Sequence, residues 1–320
     1  MSPLEHHTFS VNGIRMHVAM QGQGPLVLLC HGWPELWYSY RHQLSALAAA
    51  GFRAVAPDMR GYGETEAPAD TAAYSICHLV GDMVALVAAL GESSAIIVGH
   101  DWGAPVAWAS AQMRPDLFRG VAALSIPHRG RTAVEPLELL RQHGLGDYYL
   151  CHFQAPGVAE AEFERDVRVS MRKILAGLSG DAPAGSEIFG RVPAGGGFLD
   201  GRADPAQLPS WLTEADLDVF VRAYERTGFR GGLSWYRNLS RNWELQAPWQ
   251  GAQIKQPALF IGGTRDPANY GRRAARALVD MERAVPNLQK LIIEGAGHWI
   301  QQERPREVSE ALVRFCLSLS

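Results

Sequence analysis

The segment Gly99-His-Asp-Trp-Gly103 follows an apolar run and precedes a helical pattern, Val106–Met113. Two glycines around one acidic residue favour a sharp strand-to-helix turn, where larger neighbours would clash, with Asp101 in the place of the more usual serine nucleophile. A carboxylate is ionised at pH 7, so Asp101 needs no base to become nucleophilic. The start of the following helix also favours negative charge. The alternative is that Asp101 only caps this helix.

A second segment that could take part in catalysis comes directly after the first long apolar run: Cys30-His-Gly-Trp-Pro-Glu35. In folds with a nucleophile on such a turn, this loop supplies one backbone N–H of an oxyanion hole. The residue after the nucleophile supplies the other. We therefore expect the backbone N–H groups of Trp33 and Trp102 to form the hole. The alternative is an ordinary loop rich in glycine and proline.

Two further polar residues follow apolar runs late in the chain. Asp266 lies in Phe260-Ile-Gly-Gly-Thr-Arg-Asp-Pro267, and His298 lies in Ile293-Glu-Gly-Ala-Gly-His-Trp299. Taken singly, an aspartate before proline is usually a turn residue, and a histidine after glycine is usually an exposed loop residue. The chain order Asp101, Asp266, His298 is the order of nucleophile, acid and histidine in hydrolases with this turn. We predict that the three form a catalytic triad.

The elements that must position these residues are short apolar runs separated by helical patterns. Such runs are typical of strands in a parallel sheet that is covered on both faces. Alternating runs across Asn12-Gly13 predict an antiparallel hairpin before them. The predicted strands are Leu26–Cys30, Arg53–Pro57, Ala95–Val98, Val121–Ile126, Ala258–Ile261 and Leu288–Ile293. The fold class is therefore α/β, with a mostly parallel sheet and helices on both faces.

The alternation of strands and helices stops between residues 130 and 245. That stretch has helical patterns over Glu160–Leu178 and Glu214–Arg226, and a passage rich in glycine and proline. An insertion at the carboxyl edge of a parallel sheet lies above the usual ligand site. We expect a core of residues 1–129 and 246–320, and a helical cap domain of residues 130–245.

The composition excludes several classes of protein. The 320 residues are 47% hydrophobic and 20% charged with a net charge of −3, which is unlike a disordered chain or a basic nucleic-acid binder. No apolar stretch is long enough to span a membrane, and the first residues do not resemble a secretory signal. The four cysteines are widely spaced, and no cluster has metal-ligand spacing. We expect a cytoplasmic protein without metal or other cofactor.

With these motifs the chain resembles the soluble epoxide hydrolases of the α/β-hydrolase superfamily. The similar segments in the expected core are His31–Glu35, Asp58–Gly63, Gly99–Gly103 and Gly297–Trp299. Two segments of the insertion, Phe153–Gly157 with the three residues after it and Gly228–Asn238, are similar to cap segments of that family. The resemblance covers nearly the whole chain. It departs at Glu64-Thr65, where relatives often have serine, in a loop that we expect to be structural.

The resemblance implies a reaction and a division of roles. Asp101 would open an epoxide and form an alkyl–enzyme ester, and His298, oriented by Asp266, would activate water to release a vicinal diol. In the family two cap tyrosines bind the epoxide oxygen, and they fall here on Tyr149 and Tyr236. A slip of one residue onto Tyr148 is left open by the match.

Other functions remain to be weighed on the same motifs. A haloalkane dehalogenase often has Asn after His-Gly, where this chain has Trp33, and lacks the tyrosine pair. A fluoroacetate dehalogenase would place arginine after the nucleophile, where this chain has Trp102. An aspartate at position 101 disfavours a serine esterase. A ligand receptor with this fold and no catalytic activity usually lacks a triad member, and none is missing here.

The expected substrate is a small hydrophobic epoxide. Trp33, Trp102 and Trp299 are predicted to line its pocket. The resemblance also implies a role in the detoxification of reactive epoxides. The sequence leaves the oligomeric state open, with a homodimer among the options, and does not give regiochemistry or enantioselectivity.

Overall fold

The structure, a computed structural model, describes residues 2–183, 190–269 and 271–319 of the chain. Within these ranges it has one eight-stranded sheet and thirteen α-helices. The strands are β1 (Glu5–Val11), β2 (Ile14–Gln21), β3 (Leu26–Cys30), β4 (Arg53–Pro57), β5 (Ala95–His100), β6 (Phe118–Leu124), β7 (Ala258–Gly263) and β8 (Leu288–Ile293). The helices are α1 (Arg41–Ala49), α2 (Ile76–Ala89), α3 (Gly103–Met113), α4 (Pro136–Gln142), α5 (Tyr149–His152), α6 (Val158–Phe163), α7 (Val167–Gly177), α8 (Glu214–Thr227), α9 (Arg230–Arg237), α10 (Leu239–Leu245), α11 (Gly271–Ala284), α12 (Ile300–Glu303) and α13 (Pro305–Leu317).

The sheet has the order β1-β2-β4-β3-β5-β6-β7-β8. Strand β2 is antiparallel to β1 and β4, and the other neighbouring pairs are parallel. Because parallel strands share their direction, β3, β5, β7 and β8 end at the same edge of the sheet. The predicted α/β fold class with a mostly parallel sheet is confirmed.

Strands β3 to β7 are buried almost throughout, because their side chains fill the cores on both faces of the sheet. In β5, Ile97 belongs to the core on one face, and Ile96 and Val98 belong to the core on the other. Successive side chains of a strand point to opposite faces, so an unbroken apolar run fills both cores at once. Helices α2 and α3 pack into the first core and helices α1 and α13 into the second.

The predicted hairpin is present. Strands β1 and β2 pair across Asn12 and Gly13, whose φ angles are 44° and 80°. Positive φ at both central residues is the geometry that an Asn-Gly turn permits. The prediction for β6 was wrong at its end: the strand stops at Leu124 because Ser125 has φ 67° and leaves the extended conformation.

Between β6 and β7 the structure has helices α4 to α10, in a stretch that was predicted to be helical. Residues 184–189 of this stretch lie outside the described residues. The pattern predicted over Glu160–Leu178 is divided between α6 and α7, because Asp166 caps a new helix by accepting a hydrogen bond from Val169 N–H. Thr213 and Asp216 form a reciprocal capping box at the start of α8.

None of the helices in the described ranges is long and apolar enough to cross a membrane.

His128, beyond the end of β6, makes the stability of the fold depend on pH. Its side chain is 8% exposed and packs against the ring of Trp108, and burial lowers its pKa from 6.5 to about 4. Above pH 6.5 the ring is neutral in both the folded and the unfolded chain. As the pH falls from 6.5 towards 4, the unfolded chain binds the proton first. We expect His128 to lower the free energy of unfolding by about 3 kcal/mol over this range.

Replacing His128 with phenylalanine keeps an aromatic ring beside Trp108 and removes the titrating group. The free energy of unfolding from urea titrations should therefore fall less steeply below pH 6.5 in His128→Phe than in the wild type. His143→Phe, at an exposed position after α4, serves as the control and should keep the wild-type slope. Equal slopes for the wild type and His128→Phe would contradict the assignment.

Candidate active site

Asp101 lies on a tight turn between β5 and α3. Its φ angle is 48°, in the left-handed region that residues other than glycine rarely adopt. The flanking glycines leave no room for side chains: a Cβ on Gly99 would lie 2.0 Å from the Gly103 carbonyl oxygen, and a Cβ on Gly103 would lie 2.0 Å from the Cys30 carbonyl oxygen. The sequence pattern therefore gives the sharp turn that was predicted, with the aspartate at its tip.

The loop after β3 reaches the Asp101 carboxylate through its backbone. Trp33 N–H donates a hydrogen bond of 2.7 Å to Asp101 Oδ1. A Cβ on Gly32 would lie 2.4 Å from Asp101 Cβ, so the close approach of this loop requires glycine. The Trp33–Pro34 peptide bond is cis. Trp102, whose N–H is the second predicted donor, directly follows Asp101 at the start of α3.

His298 lies between two carboxylates. Its Nε2 is 3.3 Å from Asp101 Oδ2, and its Nδ1 is 3.2 and 3.1 Å from the two oxygens of Asp266. All three residues are buried. The structure thus brings the three predicted triad residues together from the ends of β5, β7 and β8.

The charges around His298 shift its protonation. Burial alone would lower the pKa of His298, but the carboxylates of Asp266 and Asp101 outweigh burial and raise this pKa well above its ordinary value. Burial by itself would raise the pKa of Asp266, but His298 and hydrogen bonds, including one from the Ala268 N–H, lower it. The resting arrangement therefore favours an imidazolium between two carboxylates.

Two buried residues that sequence reasoning passed over support His298 from behind. His100 Nε2 donates a hydrogen bond of 2.7 Å to the His298 carbonyl oxygen, and His100 Nδ1 is 2.5 Å from Glu35 Oε2. Burial would raise the pKa of Glu35, but the neighbouring His100 lowers it to about 2. Glu35 Oε2 also accepts a hydrogen bond from Gly32 N–H. The pair therefore connects the loop after β3 to the His298 backbone.

The signal for this pair was present but ambiguous. Glu35 and His100 both belong to motifs quoted above, but nothing in either motif indicates that the two side chains pair with each other. They are 65 positions apart, so only the fold brings them together. Ser125, which donates a hydrogen bond of 2.8 Å to the same His298 carbonyl, had no sequence signal at all.

The two predicted tyrosines face the nucleophile from the stretch between β6 and β7. The Tyr236 ring lies 5.0 Å from the Trp102 ring and 5.7 Å from the Trp33 ring, and the Tyr149 ring lies 6.2 Å from that of Tyr236. Burial raises the pKa of both phenols well above 10, and the charge of Asp101 adds to the shift. Both hydroxyls therefore stay protonated at neutral pH and can donate hydrogen bonds.

The three predicted pocket tryptophans occupy different positions. Trp33 and Trp102 surround Tyr236, and Trp102 is partly exposed. Trp299 is fully buried, with its ring 4.8 Å from the His298 ring, and its Nε1 donates a hydrogen bond to the Leu175 carbonyl oxygen. The Trp299 side chain therefore packs against the back of the candidate site.

Within the described ranges no group of three or more His, Cys, Asp and Glu side chains is arranged to hold a metal ion.

Comparison with known proteins identifies the family of the chain. The profile of a family described as "alpha/beta hydrolase fold" matches residues 25–169. "Epoxide hydrolase A" of Mycobacterium tuberculosis (strain ATCC 25618 / H37Rv) is 43% identical over 313 residues, which cover 96% of each chain. "Epoxide hydrolase 2" of Siraitia grosvenorii is 42% identical, over 98% of this chain and 99% of the relative.

Solved structures are similar over the same length. The epoxide hydrolase from an endophytic Streptomyces superposes with a TM-score of 0.95 at 48% identity, over 99% of this chain and 96% of that one. The crystal structure of Epoxide Hydrolase A from Mycobacterium thermoresistibile gives a TM-score of 0.92 at 41% identity, over 99% of both chains. The similarity therefore includes the helical stretch between β6 and β7 as well as the sheet.

The two carboxylates around His298 give a testable expectation. Replacing Asp101 with asparagine removes the negative charge near Nε2, so the pKa of His298 should fall towards its ordinary value. The imidazole nitrogen shifts of His298, followed by NMR against pH, measure this change. Asp116→Asn, at an exposed carboxylate between α3 and β6, should leave the titration unchanged. A His298 pKa that is equal in wild type and Asp101→Asn would show that Asp101 does not stabilise the imidazolium.

Proposed function

The chain belongs to the epoxide hydrolases of the α/β-hydrolase superfamily, and from this membership we propose that it hydrolyses epoxides to vicinal diols through an ester of Asp101. The observation that carries the proposal is the position of the Asp101 carboxylate. One of its oxygens accepts a hydrogen bond from Trp33 N–H, and the other lies 3.3 Å from His298. Residues 130–245 are proposed to form the cap over this carboxylate, with residues 1–129 and 246–320 as the core.

In the first step Asp101 attacks a ring carbon of the epoxide. Because Trp33 N–H holds Oδ1, we assign the attack to Oδ2. The new bond joins Oδ2 to the ring carbon, and the bond between that carbon and the epoxide oxygen breaks with its electron pair going to the oxygen. The nucleophile is ionised without help from a base, which suits a site whose histidine rests as an imidazolium.

The charge that develops on the epoxide oxygen needs hydrogen-bond donors. We propose that the hydroxyls of Tyr149 and Tyr236 bind this oxygen and that a proton passes to it as the ring opens. Burial keeps both phenols protonated, and their rings lie close together opposite the nucleophile. Such donors stabilise the transition state more than the substrate, which lowers the barrier. Tyr148 contacts Tyr149 with its ring, and the pairing of Tyr149 with Tyr236 supports Tyr149 as the donor.

Ester formation prepares the second step by removing the charge of Asp101. The pKa of His298 then falls, because one of the two carboxylates that raise it has become a neutral ester. His298 can now return its Nε2 proton to the tyrosine that gave one to the epoxide oxygen. The neutral imidazole then accepts a proton from water, while Asp266 keeps Nδ1 protonated and the ring oriented. Hydroxide attacks the carbonyl carbon of the ester, and Trp33 N–H and Trp102 N–H hold the oxyanion. The alcohol leaves with the proton from His298, and the Asp101 carboxyl group gives its own proton to His298, which restores the resting ion pair.

The surroundings of the site support a hydrophobic substrate. The rings of Trp33, Trp102 and Tyr149 lie within 6.2 Å of the Tyr236 ring, and Trp33 and Trp102 belong to the two backbone segments beside Asp101. Apolar walls with few polar groups are typical of sites for small apolar ligands. We propose small hydrophobic epoxides as substrates. All four cysteines are described and are free thiols, which supports the proposed cytoplasmic location. A role in removing reactive epoxides is proposed from the reaction itself.

Isotope labelling tests the covalent mechanism. In a single turnover of styrene oxide in ¹⁸O-water, the label should enter the Asp101 carboxylate, because water attacks the ester carbonyl, and the first diol should be unlabelled. His298→Gln should form the ester and hydrolyse it very slowly, so mass spectrometry should find protein carrying the mass of the epoxide. His143→Gln, at an exposed position, should turn over without an adduct.

Label in the first diol would show that water attacks the epoxide directly. Turnover of a chloroalkane or an aryl ester in preference to styrene oxide would contradict the proposed reaction itself.

The two tyrosines divide one task, which gives a separate prediction. Tyr149→Phe and Tyr236→Phe should each slow ester formation by roughly 10- to 1000-fold, as expected for the loss of one oxyanion-type donor. Hydrolysis of the ester should change little because the triad is intact, and the double variant should lose nearly all ring opening. Pre-steady-state tryptophan fluorescence separates the two steps. A double variant that forms the ester at the wild-type rate would contradict this role.

Tyr148→Phe is the matched control and should leave both steps near the wild-type rate. A severe loss in Tyr148→Phe with none in Tyr149→Phe would move the role to Tyr148 and leave the mechanism in place.

A further inference from the structure

Glu303, at the end of α12, is a buried carboxylate that the proposed mechanism does not use. It accepts three backbone hydrogen bonds. Its Oε2 accepts from Gly180 N–H at 2.9 Å and from Gly297 N–H at 2.8 Å, and its Oε1 accepts from Trp299 N–H at 3.0 Å. Burial raises the pKa of Glu303, and the three N–H groups oppose this shift by favouring the charged form. Both oxygens are therefore committed to backbone groups.

The three donors come from two separate parts of the chain. Gly297 and Trp299 are the residues on either side of His298, whereas Gly180 follows α7 in the stretch between β6 and β7. One side chain therefore holds the peptide groups on both sides of the proposed base and joins them to the proposed cap.

The same two segments touch at other points. His298 N–H donates a hydrogen bond of 2.9 Å to the Leu178 carbonyl oxygen, and Trp299 Nε1 donates one of 2.8 Å to the Leu175 carbonyl oxygen. The contact leaves no room for side chains, because a Cβ on Gly297 would lie 2.1 Å from the Gly180 nitrogen. The His298 loop therefore takes its position from residues 175–180 as well as from the sheet.

We propose that Glu303 is a positioning residue that, together with residues 175–180, holds His298 for hydrolysis of the ester. The inference rests on the proposed function, because it assigns Glu303 to the second of the two proposed steps. Ester formation depends on Asp101, Trp33 N–H and the tyrosines. The Glu303 carboxylate is instead hydrogen-bonded to the N–H groups of Gly180, Gly297 and Trp299. Hydrolysis requires His298 to meet water at Nε2 while Nδ1 faces Asp266, so a displaced loop slows this step first.

The change Glu303→Gln tests the carboxylate. An amide keeps one oxygen for hydrogen bonds but presents NH₂ where the second oxygen accepted from a backbone N–H, so two donors face each other. The rate of ester hydrolysis should fall roughly 10- to 100-fold, the scale expected for a small misplacement of a reacting group. Ester formation should stay near the wild-type rate, and the ester should accumulate in mass spectra. Glu307→Gln, at an exposed position in the first turn of α13, should behave as wild type.

A second variant, Gly180→Ala, disturbs the contact between residues 175–180 and the His298 loop and keeps the Glu303 carboxylate. A Cβ on Gly180 would lie 2.3 Å from the Gly295 carbonyl oxygen and 2.8 Å from Glu303 Oε2, so Gly180→Ala forces the two segments apart. It should give the same selective loss of hydrolysis. Gly130→Ala is the control, because nothing lies within 4 Å of its added Cβ. Gly180→Ala also provides the test if Glu303→Gln does not fold.

The rates of ester formation and ester hydrolysis are measured separately, by stopped-flow tryptophan fluorescence and by mass spectrometry of the quenched enzyme. Hydrolysis at the wild-type rate in a folded Glu303→Gln or Gly180→Ala, or an equal loss in both steps, would overturn the inference. Failure of the proposed function looks different: His298→Gln would then form no ester with any epoxide. An ester in His298→Gln together with rapid hydrolysis in Glu303→Gln would reject the role of Glu303 alone.

Discussion

The left-handed conformation of Asp101 is the constraint on which the rest of the site depends. A residue with φ 48° at the end of β5 is strained, at a cost of about 1–3 kcal/mol. The neighbouring glycines allow the chain to turn there. The backbone of Gly99 packs against Gly103, and the backbone of Gly103 packs against Cys30, with no room for a side chain at either contact. This turn places the carboxylate at the edge of the sheet, within reach of the loop after β3 and of His298.

The buried polar residues around this turn behave as one network because each must find its partner in the fold. His100 contacts a carbonyl oxygen with Nε2, which must then carry a proton, and contacts Glu35 with Nδ1. The contact with Glu35 then needs a second proton, which lies between Nδ1 and the Glu35 carboxylate. The pair of His100 and Glu35 connects the nucleophile turn, the oxyanion loop and the His298 loop. Buried polar groups that are fully satisfied specify a single arrangement. The backbone of His298 is therefore constrained from the side of the sheet by His100 and from the side of the helical stretch by Glu303.

The sequence was informative wherever burial or local backbone geometry restricted the residues. Strands β3 and β4 have the predicted bounds because apolar runs of this length must fill the core on both faces of the sheet. Strand β8 also has the predicted bounds, although it is a mostly exposed edge strand. The Asp101 turn was readable because its glycines are adjacent in sequence. Glu35, His100 and Glu303 could not be assigned, because each makes a hydrogen bond that only the fold brings about: Glu35 with His100, His100 with the His298 carbonyl oxygen, and Glu303 with Gly180 N–H. The division between α6 and α7 was missed because the cap at Asp166 competes with a helical pattern that continues past it.

The helical stretch between β6 and β7 contributes to both proposed chemical steps through different elements. Helices α5 and α9 carry Tyr149 and Tyr236, the proposed ring-opening donors, and the residues after α7 hold the backbone of His298 through its N–H. A helical layer that only excluded water would need neither contact. Because the end of α7 is hydrogen-bonded to the His298 loop, movement of α7 away from the sheet must break bonds that orient the proposed base. Helix α9 is tied to the core as well, because Trp235 Nε1 donates a hydrogen bond of 3.1 Å to the Arg60 carbonyl oxygen and a Cβ on Gly231 would lie 2.1 Å from the Gly61 carbonyl oxygen. The helical stretch is therefore fixed to the core both beside the proposed base and beside one of the proposed ring-opening tyrosines.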